Sequence, residues 1–205
     1  MAEKRLKKSI WVTWLAKLMS GETSCYWALW FKSNFINYEK IPDDPELIKW
    51  RITHTRILDE LRKERLAVGE KIFIEEGNRF SIEVGPGIFV EGKPDLVAIS
   101  ENDATIYDCK VGEQKASHQV QLMIYMYAMA HCLNKYPNLN VKGCLRYNQG
   151  NEVEIPNRLI DENFIKDLKY FAGILSAESP PGTAPSKNEC RYCNITKRDC
   201  PGRLD

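Results

Sequence analysis

What this 205-residue sequence has little of narrows it first. It has almost no net charge, because 29 Lys and Arg oppose 28 Asp and Glu to leave +1. That excludes a uniformly basic protein that coats nucleic acid by electrostatics alone, while leaving room for a local basic groove. It has no apolar run near the roughly 18 residues that a membrane-spanning helix needs, so no membrane partner is expected. The start is basic, but Lys17 interrupts its apolar stretch and no small-residue cleavage site follows, so a cytoplasmic protein is expected. There are only three histidines and no internal repeat. A chain this long buries roughly 70% of its unfolded surface, so its core needs no covalent staple.

Seven Cys are the first positive feature. In a reducing compartment disulfides are rare, and clustered Cys more often bind metal. Near the N-terminus Trp11, Trp14, Leu15 and Leu18 fall at helical spacing up to Gly21, and Trp27, Trp30, Phe31 and Asn34 begin a second helical stretch. After the turn-forming IPDDP at 41–45, residues 46–66 read as a charged amphipathic helix with Leu47, Trp50, Ile57, Leu58 and Leu61 as its apolar positions.

The period then shortens. Strands are expected over 71–75, 79–84, 88–91, 95–99 and 104–110, separated by Glu76-Gly77-Asn78, Gly85-Pro86-Gly87 and the turn SEND. A helix follows over about 116–134, then a hairpin over 141–147 and 152–155, then a helix over about 159–176. SPPGTAPS reads as a linker to a Cys-bearing tail too short for a core of its own. The order predicts an α/β protein with a mixed sheet covered by helices. One domain is expected over 1–205, with its core at about 46–176 and a cap formed by 1–45 and 177–205.

The chemistry concentrates at Gly92-Lys93-Pro94-Asp95 and Asp108-Cys109-Lys110. Residues two apart on a strand share a face, so Asp108 and Lys110 look one way and Cys109 the other. Hairpin pairing would bring Asp95 beside them. Two carboxylates and a lysine at a sheet edge suit a hard divalent cation, Mg²⁺ or Mn²⁺, with water that can attack a phosphodiester. From Glu91 to Glu113 six acids face two lysines, a local balance of −4. Gln121 and Tyr125, four apart on the next helix, share a face from which an amide and a phenol can hold the lysine or a phosphate.

His54 on the 46–66 helix, GKPD ending at Asp95, DCK at 108–110 and QLMIY at 121–125 together resemble the RecB-like branch of the PD-(D/E)xK nucleases. The Cys pattern makes the chain similar to the CRISPR-associated exonuclease family usually called Cas-four, and to AddB-type iron–sulfur nucleases. The resemblance implies a restriction-endonuclease-like fold and a metal-dependent DNA exonuclease of single-stranded or frayed ends, acting 5′-to-3′. It implies that His54, Asp95, Asp108 and the Cys109 carbonyl bind the metal, that Lys110 is the catalytic lysine, and that Gln121 and Tyr125 orient the site. It extends to trimming DNA before CRISPR spacer integration, with integration proteins as partners. A stand-alone repair or viral nuclease, and a DNA-binding scaffold subunit, remain as alternatives.

Cys190-x2-Cys193-x6-Cys200 has the spacing of thiolates gathered on one metal centre, one ligand short of four. Cys25, Cys109, Cys132 and Cys144 are the candidates for the fourth. Cys109 follows a carboxylate of the site, and Cys132 and Cys144 lie in a helix and a strand, where a free Cys is usually a small core residue. Cys25 follows a Gly-containing break, and it stands where the resembled family supplies its first ligand. Spacing leaves zinc and iron–sulfur both open; the resemblance implies [4Fe–4S]. Either would clasp the two chain ends. Basic residues at 1–8 and in the last twenty positions would form a rim for DNA phosphates. Tyr26, Trp27 and Trp30 are read either as stacking surfaces for single-stranded bases or as packing.

Overall fold

The computed structural model describes residues 2–42, 45–132 and 139–204. In chain order the elements are β1 (Glu3–Lys4), β2 (Lys8–Trp11), α1 (Val12–Met19), α2 (Tyr26–Asn34), β3 (Phe35–Ile36) and α3 (Glu46–Ala67). Next come β4 (Lys71–Ile74), β5 (Phe80–Gly85), β6 (Ile88–Gly92), β7 (Leu96–Ile99) and β8 (Asp103–Lys110). The chain continues through α4 (Ala116–Cys132), β9 (Asn140–Tyr147), β10 (Glu152–Ile155), α5 (Glu162–Ser176) and α6 (Lys187–Tyr192). Asp43 and Asp44 of the expected turn, and the last two residues of the helix expected over 116–134, lie outside the described residues.

The central sheet has the order β10-β9-β8-β7-β4. It is mixed: β8 and β9 run parallel, while the β4–β7, β7–β8 and β9–β10 pairs are antiparallel. Parallel neighbours need a long crossover, and α4 supplies it. A second sheet, β2-β6-β5, adds β2 parallel to β6, and β1 pairs with β3. The α/β architecture with helix-covered mixed sheets is therefore present.

Alternation along β8 divides the core. Ala104 and Ile106 join Leu122, Met126 and Leu145 on one side. Tyr107 and Cys109 join Leu96, Ala98, Cys144 and the α3 residues Ile57, Leu58 and Leu61 on the other. Thus α4 covers one face and α3 the other. The approach of α4 to β9 requires Gly143, where a Cβ would lie 2.6 Å from Met126 Sδ and 2.8 Å from Leu122 Cγ. Asp161 caps α5 by accepting the Phe164 N–H at 2.8 Å.

Three readings are corrected. The basic start contains a strand, β2, whose partner β6 lies some eighty residues away, so no local pattern announces it. The apolar stripe of α3 is buried only in its second half; Leu47 and Trp50 overhang the sheet and are exposed. Cys132, read as a small core residue, is exposed, whereas Cys144 is buried as expected.

Candidate active site

The pair Leu96↔Tyr107 is the last of the β7–β8 ladder, and its register continued by one sets Asp95 opposite Asp108. Asp95 Oδ2 accepts the Cys109 N–H at 2.7 Å and lies 3.1 Å from His54 Nε2. His54 comes from α3, across the sheet from α4, so the site forms at the end of the sheet where the two faces meet. The hydrogen bond to Asp95 raises the His54 pKa above its ordinary value, against the effect of burial.

Asp108 and Lys110 point toward α4. Lys110 Nζ lies 2.5 Å from Asp108 Oδ2 and donates to Gln121 Oε1 at 3.0 Å. The Gln121 amide NH₂ in turn lies 3.1 Å from the Tyr125 hydroxyl and 3.5 Å from Asp108 Oδ1. Burial pushes the Asp108 carboxyl up to about 6, with Lys110 pulling it down and Asp95 raising it further. Burial also raises the Tyr125 phenol well above its usual range, with the Asp108 charge adding to it. The Tyr125 ring fits because position 92 is Gly: a Cβ there would stand 2.8 Å from Tyr125 Cε1 and 2.7 Å from Phe80 Cζ.

The structure thus brings together His54, Asp95, Asp108, Lys110, Gln121 and Tyr125. Cys109 contributes backbone only. Its side chain is buried under α3 and its thiol pKa is raised by burial, so it is no thiolate ligand.

A divalent cation fits this donor set on one observation. Asp108 Oδ2 is buried against the Lys110 ammonium 2.5 Å away and has no other hydrogen-bond donor. An anionic oxygen in that position, beside a second carboxylate and an imidazole, suits a hard cation. Among the described residues no three His, Cys, Asp or Glu side chains stand close enough to grip an ion as they are placed. The same holds for Cys25, Cys190, Cys193 and Cys200 as they are placed.

Cys25, Cys190, Cys193 and Cys200 line one cavity of about 260 Å³, together with Lys17, Lys32, Lys115 and Arg203. None of the seven Cys forms a disulfide. Glu189 ties the cavity walls together. It accepts from Thr23 Oγ1 at 2.7 Å, Ser24 N at 2.8 Å, Ser24 Oγ at 2.9 Å, Ser186 Oγ at 3.0 Å and Cys25 N at 3.3 Å. Burial acts to raise its pKa, but these donors outweigh it and hold the carboxyl at about 2.

The sequence reading missed three residues. Glu189 showed in the sequence only as the end of a Ser-x-x-Glu capping pair with Ser186, because its other donors lie over 160 residues away. His118, within hydrogen-bonding distance of the Tyr147 hydroxyl at 3.1 Å, was legible as the position one turn before Gln121 and Leu122. Trp50 stacks on His54. In contrast, Trp30 is buried and donates to Ala177 O at 2.7 Å, Trp27 stacks on Phe31 and Tyr26 meets Phe171 edge-on, which is packing. The N-terminal cations have internal partners: Lys4 and Lys8 pair with Glu178, Arg5 donates to Lys32 O and Lys7 to Ser81.

A mixed α/β sheet flanked by helices, with two carboxylates and a lysine at the end of adjoining strands, defines the restriction-endonuclease-like class. The sequence model of the PD-(D/E)XK nuclease superfamily matches residues 26–201, and the chain belongs to that superfamily, whose nucleases use divalent metals such as Mg²⁺ or Mn²⁺. Among solved structures, the crystal structure of SSO0001 is similar, with a TM-score of 0.53 and 22% identity over 99% of this chain and 91% of that one. At that identity the likeness speaks for the fold. A sequence search of curated proteins found no match. No helix among the described residues is long and apolar enough to cross a membrane.

Proposed function

We propose that the protein is a metal-dependent DNA exonuclease that hydrolyses single-stranded or frayed ends from the 5′ side by attack of water on the phosphodiester. The observation that carries this reading is the buried Asp108 carboxylate, set beside Lys110 and opposite Asp95. His54, Asp95, Asp108 and the Cys109 carbonyl would hold the divalent ion. When bound, that ion polarises a phosphoryl oxygen and lowers the pKa of a coordinated water.

The protein's own groups do the rest. Gln121 Oε1 holds the Lys110 amine in place, and Tyr125 limits how the amide can turn. Lys110 released from Asp108 would present its charge to the oxygens on which negative charge develops. His54 fixes one Asp95 oxygen and the Cys109 N–H approaches the same one, so this carboxylate arrives oriented.

The four thiols around one cavity would hold an iron–sulfur cluster, [4Fe–4S], whose negative charge Lys17, Lys32, Lys115 and Arg203 would meet. Such a cluster would join the N-terminal segment to the tail, in a structural role. The resemblance further supports DNA trimming before CRISPR spacer integration, with integration proteins as partners.

The test is Mn²⁺-dependent digestion of 5′- and 3′-end-labelled single-stranded DNA. Removing a donor that stabilises developing charge costs on the order of 10²–10³ in rate, and Lys110→Ala should lose that much. Equal rates in the two proteins would overturn the site assignment.

A further inference from the structure

The side of α3 that fastens the helix to the sheet continues beyond the sheet. Leu47, Trp50, His54, Ile57 and Leu61 follow at three- and four-residue spacing, so they share one side of the helix. Ile57 and Leu61 are buried against residues of β7 and β8. His54 marks the boundary, with its Nε2 on Asp95. Beyond it, Trp50 is 43% exposed. Its indole lies nearly flat on the His54 ring, with centroids 4.9 Å apart and planes 19° apart.

Trp50 keeps the register of the buried stripe yet is left partly in water against the His54 ring, with Leu47 exposed one turn before it. We propose that Trp50 is the platform on which a base of the substrate strand stacks, seating the neighbouring phosphodiester at Asp95 and Asp108. This rests on the reading of the site as one that cleaves nucleic acid.

Three features favour a nucleobase over another occupant. The surface is a flat aromatic ring, and base–aromatic stacking tolerates any sequence because every base has a π-face. It touches a residue that itself touches Asp95, so a base seated there belongs to a nucleotide close to the carboxylates. Residues 47–58 carry Lys49, Arg51 and Arg56 and no acid, a local positive sign that suits the phosphates of a strand along α3. All three also have partners within the protein, Glu60 for Arg56. A stack on Trp50 also bears on the ring that holds Asp95. The device thereby couples strand seating to the orientation of the carboxylate.

Two measurements test it. Single-stranded oligonucleotides carrying 2-aminopurine, which dims when it stacks, are titrated with protein in EDTA. Cleavage with Mn²⁺ is followed on strands with normal bases or with one abasic position moved along the strand. Wild type should quench the probe, and one abasic position should weaken its KM by roughly 5- to 150-fold, the range expected for one stacked base. Trp50→Ala should bind weaker by a similar factor and lose the quench and the penalty at that abasic position; Trp50→Phe should keep most of both. A merely structural role would weaken all substrates alike and leave the abasic penalty in place, which would overturn the proposal.

The outcomes separate the two readings. If Trp50→Ala cleaves, quenches and discriminates as wild type does, the platform falls and the nuclease reading stands. If wild type quenches through Trp50 yet never cleaves, the nuclease reading falls and the platform stands. No quench by wild type overturns the platform, whatever the cleavage result.

Discussion

At the scale of single residues, the end of β8 shows how environment gives identical groups different work. Asp95 engages His54 and a backbone amide, while Asp108 is buried and held by one lysine. The strand period alone placed Asp108 and Lys110 on one face. The clasp of Gln121 on Lys110, and of His54 on Asp95, depends on α4 and α3 arriving from opposite faces of the sheet. His118 carries the residue-scale prediction. Burial first, and then Lys110, lower its pKa from 6.5 to about 4, so the fold favours the neutral ring. A histidine depressed in this way contributes stability that is complete above pH 6.5 and disappears as pH falls toward 4. His118→Gln should therefore show a smaller drop in urea midpoint across that window than wild type. Parallel curves for the two proteins would remove the ring from the account.

Elements are fixed to one another by a few close approaches, and two of these depend on the lack of a side chain. Gly143 lets α4 settle on β9, and Gly92 makes room for Tyr125 beside Phe80 and Val12. A methyl group at either place forces side chains off their rotamers, at a cost of about 1–3 kcal/mol. Gly143→Ala and Gly92→Ala should both lose about that much in chemical denaturation. Hydrolysis measured well below the midpoint should drop only in Gly92→Ala, because only there does the displaced ring belong to the Gln121–Tyr125 pair. An active Gly92→Ala would separate Tyr125 from the chemistry. Most elements were legible: α3, β7, β8, β10 and α5 fall close to their expected ranges because turn residues bracket their apolar runs. The strand β2 was not, since its partner β6 is remote in sequence. Nor was the overhang of α3, because one apolar stripe reads the same whether or not a sheet lies beneath all of it.

Across the whole molecule the two chain ends meet. Glu189 of the tail gathers Thr23, Ser24 and the Cys25 amide, and Glu22 caps the start of α4 through Ser117 N at 2.8 Å and Ser117 Oγ at 2.7 Å. Glu189→Ala should speed amide exchange in residues 23–25 and 187–193 while leaving α4 protected. Iron and sulfide per chain, in protein purified without air, should fall in it as in Cys25→Ser. Zinc in place of iron would replace the cluster reading, and unchanged metal in Cys25→Ser would remove that ligand. The sequence by itself determined the nuclease superfamily, since GKPD, DCK and QLMIY set acids, a lysine and an amide at spacings that the strand and helix periods carry locally. It also determined the α/β order, because periodicity is a local property of the chain. Only the tertiary structure decided that Cys25 shares one cavity with the three thiols of the tail, that Trp27 and Trp30 are packing, and that Trp50 is left partly exposed against His54. Burial is a property of what comes from elsewhere in the chain, and no local pattern carries it.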